Sequence, residues 1–310
     1  MIIELFCGAG GASEGIRQAI GKSPDLAFDF WKIACETHAK NHSGETICAD
    51  IGKIGEKAIK EYTNGKPIKL LWASPPCTEF SIAKRHEKNK DIADLIYTPL
   101  IWAQNADIEN LVIENVPDLN NYDHCKILID RLSKRFKRVE SYIIKHSHCG
   151  GATMRKRLFI IARNTDFVLN FEKQKAKSTR DYLTKKREWK PLITSDVYTL
   201  TAIKNHDPLN IINTDFICLR NLNPSIYSIS GLTPTIATKG SNIWIINAQK
   251  THYSHLTITE LKLLQGFNRF FAFCGKRSHQ MRQIGNSVPP QMAKTIIKAL
   301  KLNKGVENEH

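Results

Sequence analysis

Short apolar runs alternate with longer amphipathic stretches through the first half of the chain, and no other feature constrains the fold as tightly. Strand-like runs fall at residues 2–6, 31–35, 68–73, 111–113, 139–144 and 158–162. The intervals around 11–20, 54–63, 92–106 and 123–135 have the length and period of helices. Repeated strand–helix–strand units predict an α/β fold with a mostly parallel sheet covered on both faces. In such sheets ligands sit at the carboxyl ends of the strands.

After Arg163 the texture changes. Residues 173–190, KQKAKSTRDYLTKKREWK, are strongly basic and weakly apolar, and short strand-like pieces with Asn, Pro, Ser and Gly follow to about residue 255. This predicts a smaller, loop-rich second domain. The expected division is 1–168, 169–281, and a terminal segment 282–310 that returns to the first domain. Within that segment, PPQMAKTIIKALKL (289–302) reads as an amphipathic helix with Met292, Ile296, Ile297 and Leu300 on one side.

The 310 residues carry 45 Lys and Arg against 30 acids, a net charge of +15, which points to a polyanionic partner, nucleic acid first. The opening MIIELFCGAGG has no basic leader region, and no apolar run approaches the roughly 20 residues that span a bilayer. Eight cysteines without a CxxC pair fit a reduced, cytoplasmic protein. His146, His148 and Cys149 lie close together, but adjacent positions of an extended segment face opposite ways and no second ligand pair follows, so no metal is expected.

Four segments carry candidate chemistry. IIELFCGAGG places Gly8, Gly10 and Gly11 in a turn between a strand and a helix, where backbone can approach a ligand closely. The spacing is G-x-G-G, not the G-x-G-x-x-G of dinucleotide binders. Glu36 and Asp50, each taken to follow a strand, could receive ribose hydroxyls and an amino group, which together describe a nucleoside site. Cys77 follows the strand ending at Ala73 through Ser74-Pro75-Pro76, and is either a buried small hydrophobe or a nucleophile held at the sheet edge. Glu114 directly follows a buried run, and Arg155 and Arg157 precede another. If that last strand is antiparallel, a thiol, a carboxylate and a guanidinium share one edge.

Taken in order, ELFCGAGG (4–11), SPPCTEFS (74–81), IENVP (113–117), RKRLFIIA (155–162), LTPTIATKG to LTITELKLLQGF (232–267) and QIGNSVPP (283–290) resemble the motifs of bacterial cytosine-C5 DNA methyltransferases. The resemblance spans nearly the whole chain. It implies a Rossmann-like methyltransferase domain with a small target-recognition domain, acting on double-stranded DNA. It implies Cys77 as nucleophile, Glu114 as the acid on the N3 and amino edge, and Arg157 at O2 with Arg155 supporting it. It also implies S-adenosylmethionine, with S-adenosylhomocysteine as product, held by Phe6, Gly8, Ala9, Gly10, Gly11, Glu36, Asp50, Ile51, Pro76, Asn286, Ser287 and Val288. Segment 81–90, with Ser81, Lys84 and Arg85, matches the closing catalytic loop. DNA contacts are further expected from Lys185, Lys186, Arg187, Thr235 and Lys239.

The resemblance further implies a monomer, no membrane, and either a restriction–modification role, with an endonuclease that need not touch it, or an orphan or phage enzyme. There are departures from the pattern. Thr78 and Glu79 stand where many members have Gln and a small residue, Thr153 where Gln is usual, and Ser254 where Arg often precedes the LT pair. The tRNA-methylating branch of the same fold is the nearest alternative, but its Cys-Phe-Thr triplet is missing from the recognition region. A catalytically inactive DNA-binding relative is the other, and the retained Cys77, Glu114 and Arg157 argue against it.

Overall fold

A computed structural model of the chain describes residues 1–76, 94–193, 196–206, 214–219, 225–238 and 243–302. The chain forms two compact units. The first holds Met1–Lys145, Lys156–Glu172 and the segment from Met292. The second holds His146–Arg155 and Lys173–Gln291. Residues 146–155 and 282–291 thus group with the second unit, where the sequence had placed them in or beside the first.

The first unit is built on a seven-stranded sheet of order β3-β2-β1-β4-β5-β7-β6. Its strands are β1 (Ile2–Leu5), β2 (Leu26–Asp29), β3 (Glu45–Cys48), β4 (Leu70–Ala73), β5 (Asn110–Asn115), β6 (Arg138–Lys145) and β7 (Lys156–Arg163). β1 to β5 are mutually parallel; β7 is antiparallel to β5 and β6 to β7. Helices α1 (Gly11–Ile20), α2 (Lys32–Asn41) and α3 (Glu56–Thr63) connect the first four strands, and Thr98–Asn105 and Asp123–Ser133 follow. The central strands β1, β4 and β5 are buried at every position, which is why they read as unbroken apolar runs rather than alternating ones.

One predicted strand is a helix. Residues 31–35 open α2, and the second strand lies earlier, at Leu26–Asp29. The buried residues of α2 are Ala34, Cys35, Thr37 and His38, a helical spacing that a five-residue apolar window hides. Glu36 is therefore an exposed helical residue and does not stand at a strand end.

Glu4 is the exception within β1. It is 1% exposed and accepts the hydroxyl of Ser13 from α1, while burial pushes its carboxyl up to about 8. The stability of the protonated, hydrogen-bonded form is fully present below the ordinary value of 4.5 and is lost as pH rises towards about 8. Glu4→Gln removes this dependence. In thermal melts the variant is expected to match wild type near pH 4.5 and to gain on it steadily by pH 8; a gap that does not grow with pH would contradict the assignment.

The second unit carries a five-stranded antiparallel sheet of order β10-β9-β11-β12-β8. These strands are β8 (Lys190–Pro191), β9 (Phe216–Leu219), β10 (Ser225–Ser228), β11 (Ile243–Ile246) and β12 (His252–His255). Helices Ile258–Gln265 and Arg277–Asn286 follow it in sequence. A core of Ile217, Ile236, Ile245, Leu261, Leu264 and Ile284 ties the helices to the sheet. In the last helix of the described residues, Pro290–Ala299, Met292, Ile296 and Ile297 are buried, as is Leu300 just beyond it. No helix of the described residues is long and apolar enough to cross a membrane.

Candidate active site

Parallel strands bring their carboxyl ends to one edge, and β7, running the other way, starts there. The exit of β1 is a tight turn. Phe6 has φ of 58°, Gly8 53° and Gly10 91°. A left-handed conformation at a bulky aromatic is strained and marks places where the backbone is shaped for a ligand. Gly10 caps α1 without a side-chain hydrogen bond, so no capping side chain occupies the positive end of the helix.

Contacts behind the turn fix it. The Asp29 carboxylate at the end of β2 accepts the N–H of Gly8 and of Trp31, both at 2.8 Å. Burial raises its pKa, against those N–H groups, which lower it. His38 and His42 pack beneath Gly10: a Cβ there would lie 2.9 Å from His38 Cδ2 and 2.5 Å from His42 Nε2. Desolvation lowers these two imidazoles to about 3 and about 4, so both are neutral at pH 7. His38 lies 2.8 Å from Ser13 Oγ and 2.7 Å from Thr46 Oγ1, making it a spacer between α1 and β3.

A ligand would meet the opposite side of the turn, where a Cβ on Gly8 would touch nothing within 4 Å. Asp50, just past β3, accepts the N–H of Gly52 at 3.2 Å and lies 3.3 Å from Lys53 Nζ. Ile51 is buried in the core. The turn, the helix end and a carboxylate two strands away fit an amino-acid-bearing nucleoside such as S-adenosylmethionine. Glu36 is not placed to complete that set.

β4 leads into Ser74-Pro75-Pro76. Ser74 N–H donates to the Leu5 carbonyl, and the Asn115 side chain donates to the Pro75 carbonyl at 3.2 Å. This fastens the segment that enters residue 77 to β1 and β5. Cys77, Thr78, Glu79, Ser81, Lys84 and Arg85 lie outside the described residues, as does Lys239. At the end of β5, Glu114 Oε1 accepts from Arg157 Nε at 2.8 Å, with side chains 9% and 13% exposed. Register explains the meeting: Glu114 pairs with Phe159 and Asn115 with Leu158, so Arg157 enters the same edge from the antiparallel strand.

Arg155 does not join this pair through any hydrogen bond described. It belongs to the second unit, 2% exposed, where Nη1 donates to the carbonyls of Gly285 at 3.0 Å and Ile236 at 3.4 Å. These two bonds tie the backbone at Gly285 to that at Ile236. Arg187, expected at the DNA, forms an ion pair with Glu260, the side chains 5% and 0% exposed.

Glu260 also accepts the Thr184 N–H at 2.8 Å and closes a capping box with Thr257. Burial raises its carboxyl, but the Thr184 and Thr257 N–H groups and Arg187 outweigh it, so the net shift is downward. Lys185, Lys186 and Thr235 are exposed, as is Asn286 at the end of its helix. Ser287 and Val288 are buried, Ser287 hydroxyl donating to Gln283 O. His146, buried and lowered to about 4 by desolvation, bonds Thr153 at 2.7 Å and Gln291 at 3.2 Å. Thr153, an unusual residue for its motif, is thus its partner.

The sequence model for C-5 cytosine-specific DNA methylases matches residues 1–302. The chain belongs to that family. The methylase is 28% identical to the type II methyltransferase M.HindV of Haemophilus influenzae, over 96% of this chain and 95% of the relative. It is 26% identical to the type II methyltransferase M.HgiDI of Herpetosiphon aurantiacus, over 94% and 91%. Its fold resembles that of the methyltransferase EhMeth of Entamoeba histolytica, with TM-score 0.70, 21% identity and 98% of each chain covered.

Proposed function

We propose that this methylase adds a methyl group to C5 of a cytosine flipped out of duplex DNA, through a covalent bond from Cys77. The observation that carries the reading is the Glu114–Arg157 pair at the end of β5, the strand whose Asn115 fastens Pro75, two residues before Cys77 in sequence. Cytosine C5 is a poor nucleophile until a thiolate adds at C6. An ordinary cysteine is only a few per cent thiolate at pH 7, so the site must favour ionisation, and the Arg157 guanidinium is a cation fixed at this edge by Glu114.

Cys77 Sγ forms the bond to C6 and pushes electron density towards C5. Glu114 holds the N3 and amino edge, compensating charge as C6 is attacked, while Arg157 holds O2 and orients Glu114. S-adenosylmethionine would be held by Phe6, Gly8, Ala9, Gly10, Gly11, Asp50 and Pro76, with Asn286, Ser287 and Val288 added by the family resemblance; it would supply an electrophilic methyl group and leave as S-adenosylhomocysteine. Loss of the C5 proton then expels the Cys77 thiolate and restores the aromatic base. The target must leave the duplex first, at a cost of a few kcal/mol.

The names of the type II relatives support a place in restriction–modification, with the net charge of +15 favouring the duplex. Incubation with duplex DNA and a methyl-labelled donor, followed by bisulfite sequencing, tests activity and gives the target sequence. Label at C5 of cytosine within one sequence is expected; label on adenine, or none, refutes it.

A further inference from the structure

The second unit contains a cavity of about 500 Å³ that the mechanism leaves unused. Its lining includes Lys186, Arg187, Lys190 and Arg277 against one carboxylate, Glu188. Thr257, the N-cap of helix Ile258–Gln265, and Arg277, the first residue of helix Arg277–Asn286, also line it. Two helix starts therefore add partial positive charge to the cationic side chains. Setting the four lining cations against Glu188 and the Glu260 carboxylate that neutralises Arg187 leaves an excess of two positive charges.

Arg187 gives the cavity its chemistry. Its Nη2 is tied to the buried Glu260 carboxylate, whereas its Nη1, also buried, has no hydrogen-bond partner among the described residues. A buried guanidinium N–H without a partner is costly unless a ligand meets it. Glu260 is itself fixed by Thr184 and by the capping box with Thr257. The guanidinium is thus held in place before any ligand arrives, so little side-chain entropy is lost on binding. Arg277 is similarly anchored, Nη2 donating to the Leu256 carbonyl at 2.8 Å. Lys186 and Lys190 are exposed and add their charge to the lining.

We propose that this cavity seats a phosphodiester of the DNA backbone with its adjoining sugar. The volume suits a nucleotide-sized group, and anchored guanidinium N–H donors match the non-bridging oxygens of a phosphate. The assignment rests on the reading of duplex DNA as substrate. It divides the basic run 173–190 by role: Arg187 is built into the site and the neighbouring lysines complete it. A phosphate seat fixes position on the duplex and reads no sequence.

The test is fluorescence anisotropy of a labelled duplex with full-length wild type, with Lys186→Ala/Lys190→Ala and with Glu188→Gln across a salt series. Arg187 is left intact because its loss would strand Glu260. The double variant is expected to bind about tenfold more weakly, with the log–log salt slope flatter by about 0.9 for each phosphate that is no longer neutralised. Glu188→Gln is expected to bind more tightly, and bisulfite sequencing is expected to find the same target for all three. Unchanged affinity and slope in the double variant, or a changed target sequence, would overturn the proposal. Displacement of wild type by millimolar inorganic phosphate, with duplex affinity unaltered by the double substitution, would make the cavity a free-anion site and also overturn it. If wild type binds duplex but transfers no methyl group, the methylation reading fails, while the binding data still decide the cavity.

Discussion

Cys77→Ser is expected to lower methyl transfer by at least about 10³-fold, leaving the melting temperature and donor binding as in wild type. The argument is chemical. Addition at C6 needs an anionic nucleophile, and a serine hydroxyl is far less acidic than a thiol, so it offers almost no anion at neutral pH. Without the C6 bond, C5 stays part of an aromatic ring and does not attack. Sulfur and oxygen differ little in size, and the segment's anchors, from Ser74 to Leu5 and from Asn115 to Pro75, involve neither atom. Single-turnover assay with labelled donor reads the rate, and isothermal titration reads the donor affinity. Turnover within tenfold of wild type would remove Cys77 from the mechanism.

Glu114→Gln is expected to cost about 10³-fold in single-turnover rate, the range lost when a group that stabilises or protonates a transition state is neutralised. The amide oxygen of Gln still accepts from Arg157 Nε, so the edge keeps its geometry and the variant its fold. Alanine is a poorer choice: it leaves a largely buried guanidinium unpaired, at a cost of about 3 kcal/mol or more in stability. The effect of Gln should fall on the chemical step and spare affinity for the donor, since Glu114 lies on β5 and the glycine turn on the exit of β1. A loss confined to donor binding would place Glu114 in the cofactor site instead.

How much of this was legible in the sequence varied with the range of the interaction. β1, β4 and β5 were readable because strands buried on both faces carry continuous apolar runs, whereas β3, Glu45–Cys48, is not buried and gave no such run. Glu114 and Arg157 were readable because each adjoins such a run and antiparallel pairing brings them to one edge. The second strand was not, because WKIAC is as apolar as LAFD, and only the spacing of the buried residues in α2 separates helix from strand. Asp29 escaped notice because its partners are backbone N–H groups, one of them 21 residues away.

Arg187 shows the same limit. In a lysine-rich stretch nothing local marks the single cation that is buried, and its partner lies 73 residues on. Nothing in the segment LTITE shows that Glu260, besides capping its helix with Thr257, uses its other oxygen elsewhere. The phosphate cavity follows from these same contacts, so it could emerge only from the structure.

The central claim, a covalent bond between Cys77 and cytosine C6 during methylation of DNA, is tested most directly with duplex carrying 5-fluorocytosine at the target. Fluorine at C5 cannot depart as the proton does, so the enzyme–DNA adduct persists once the methyl group has been transferred. The account predicts a denaturant-resistant complex with wild type in the presence of S-adenosylmethionine, with Cys77 identified as the attached residue by peptide mapping, and none with Cys77→Ser. A wild type that methylates ordinary duplex yet forms no such complex, or one attached through another residue, would contradict it.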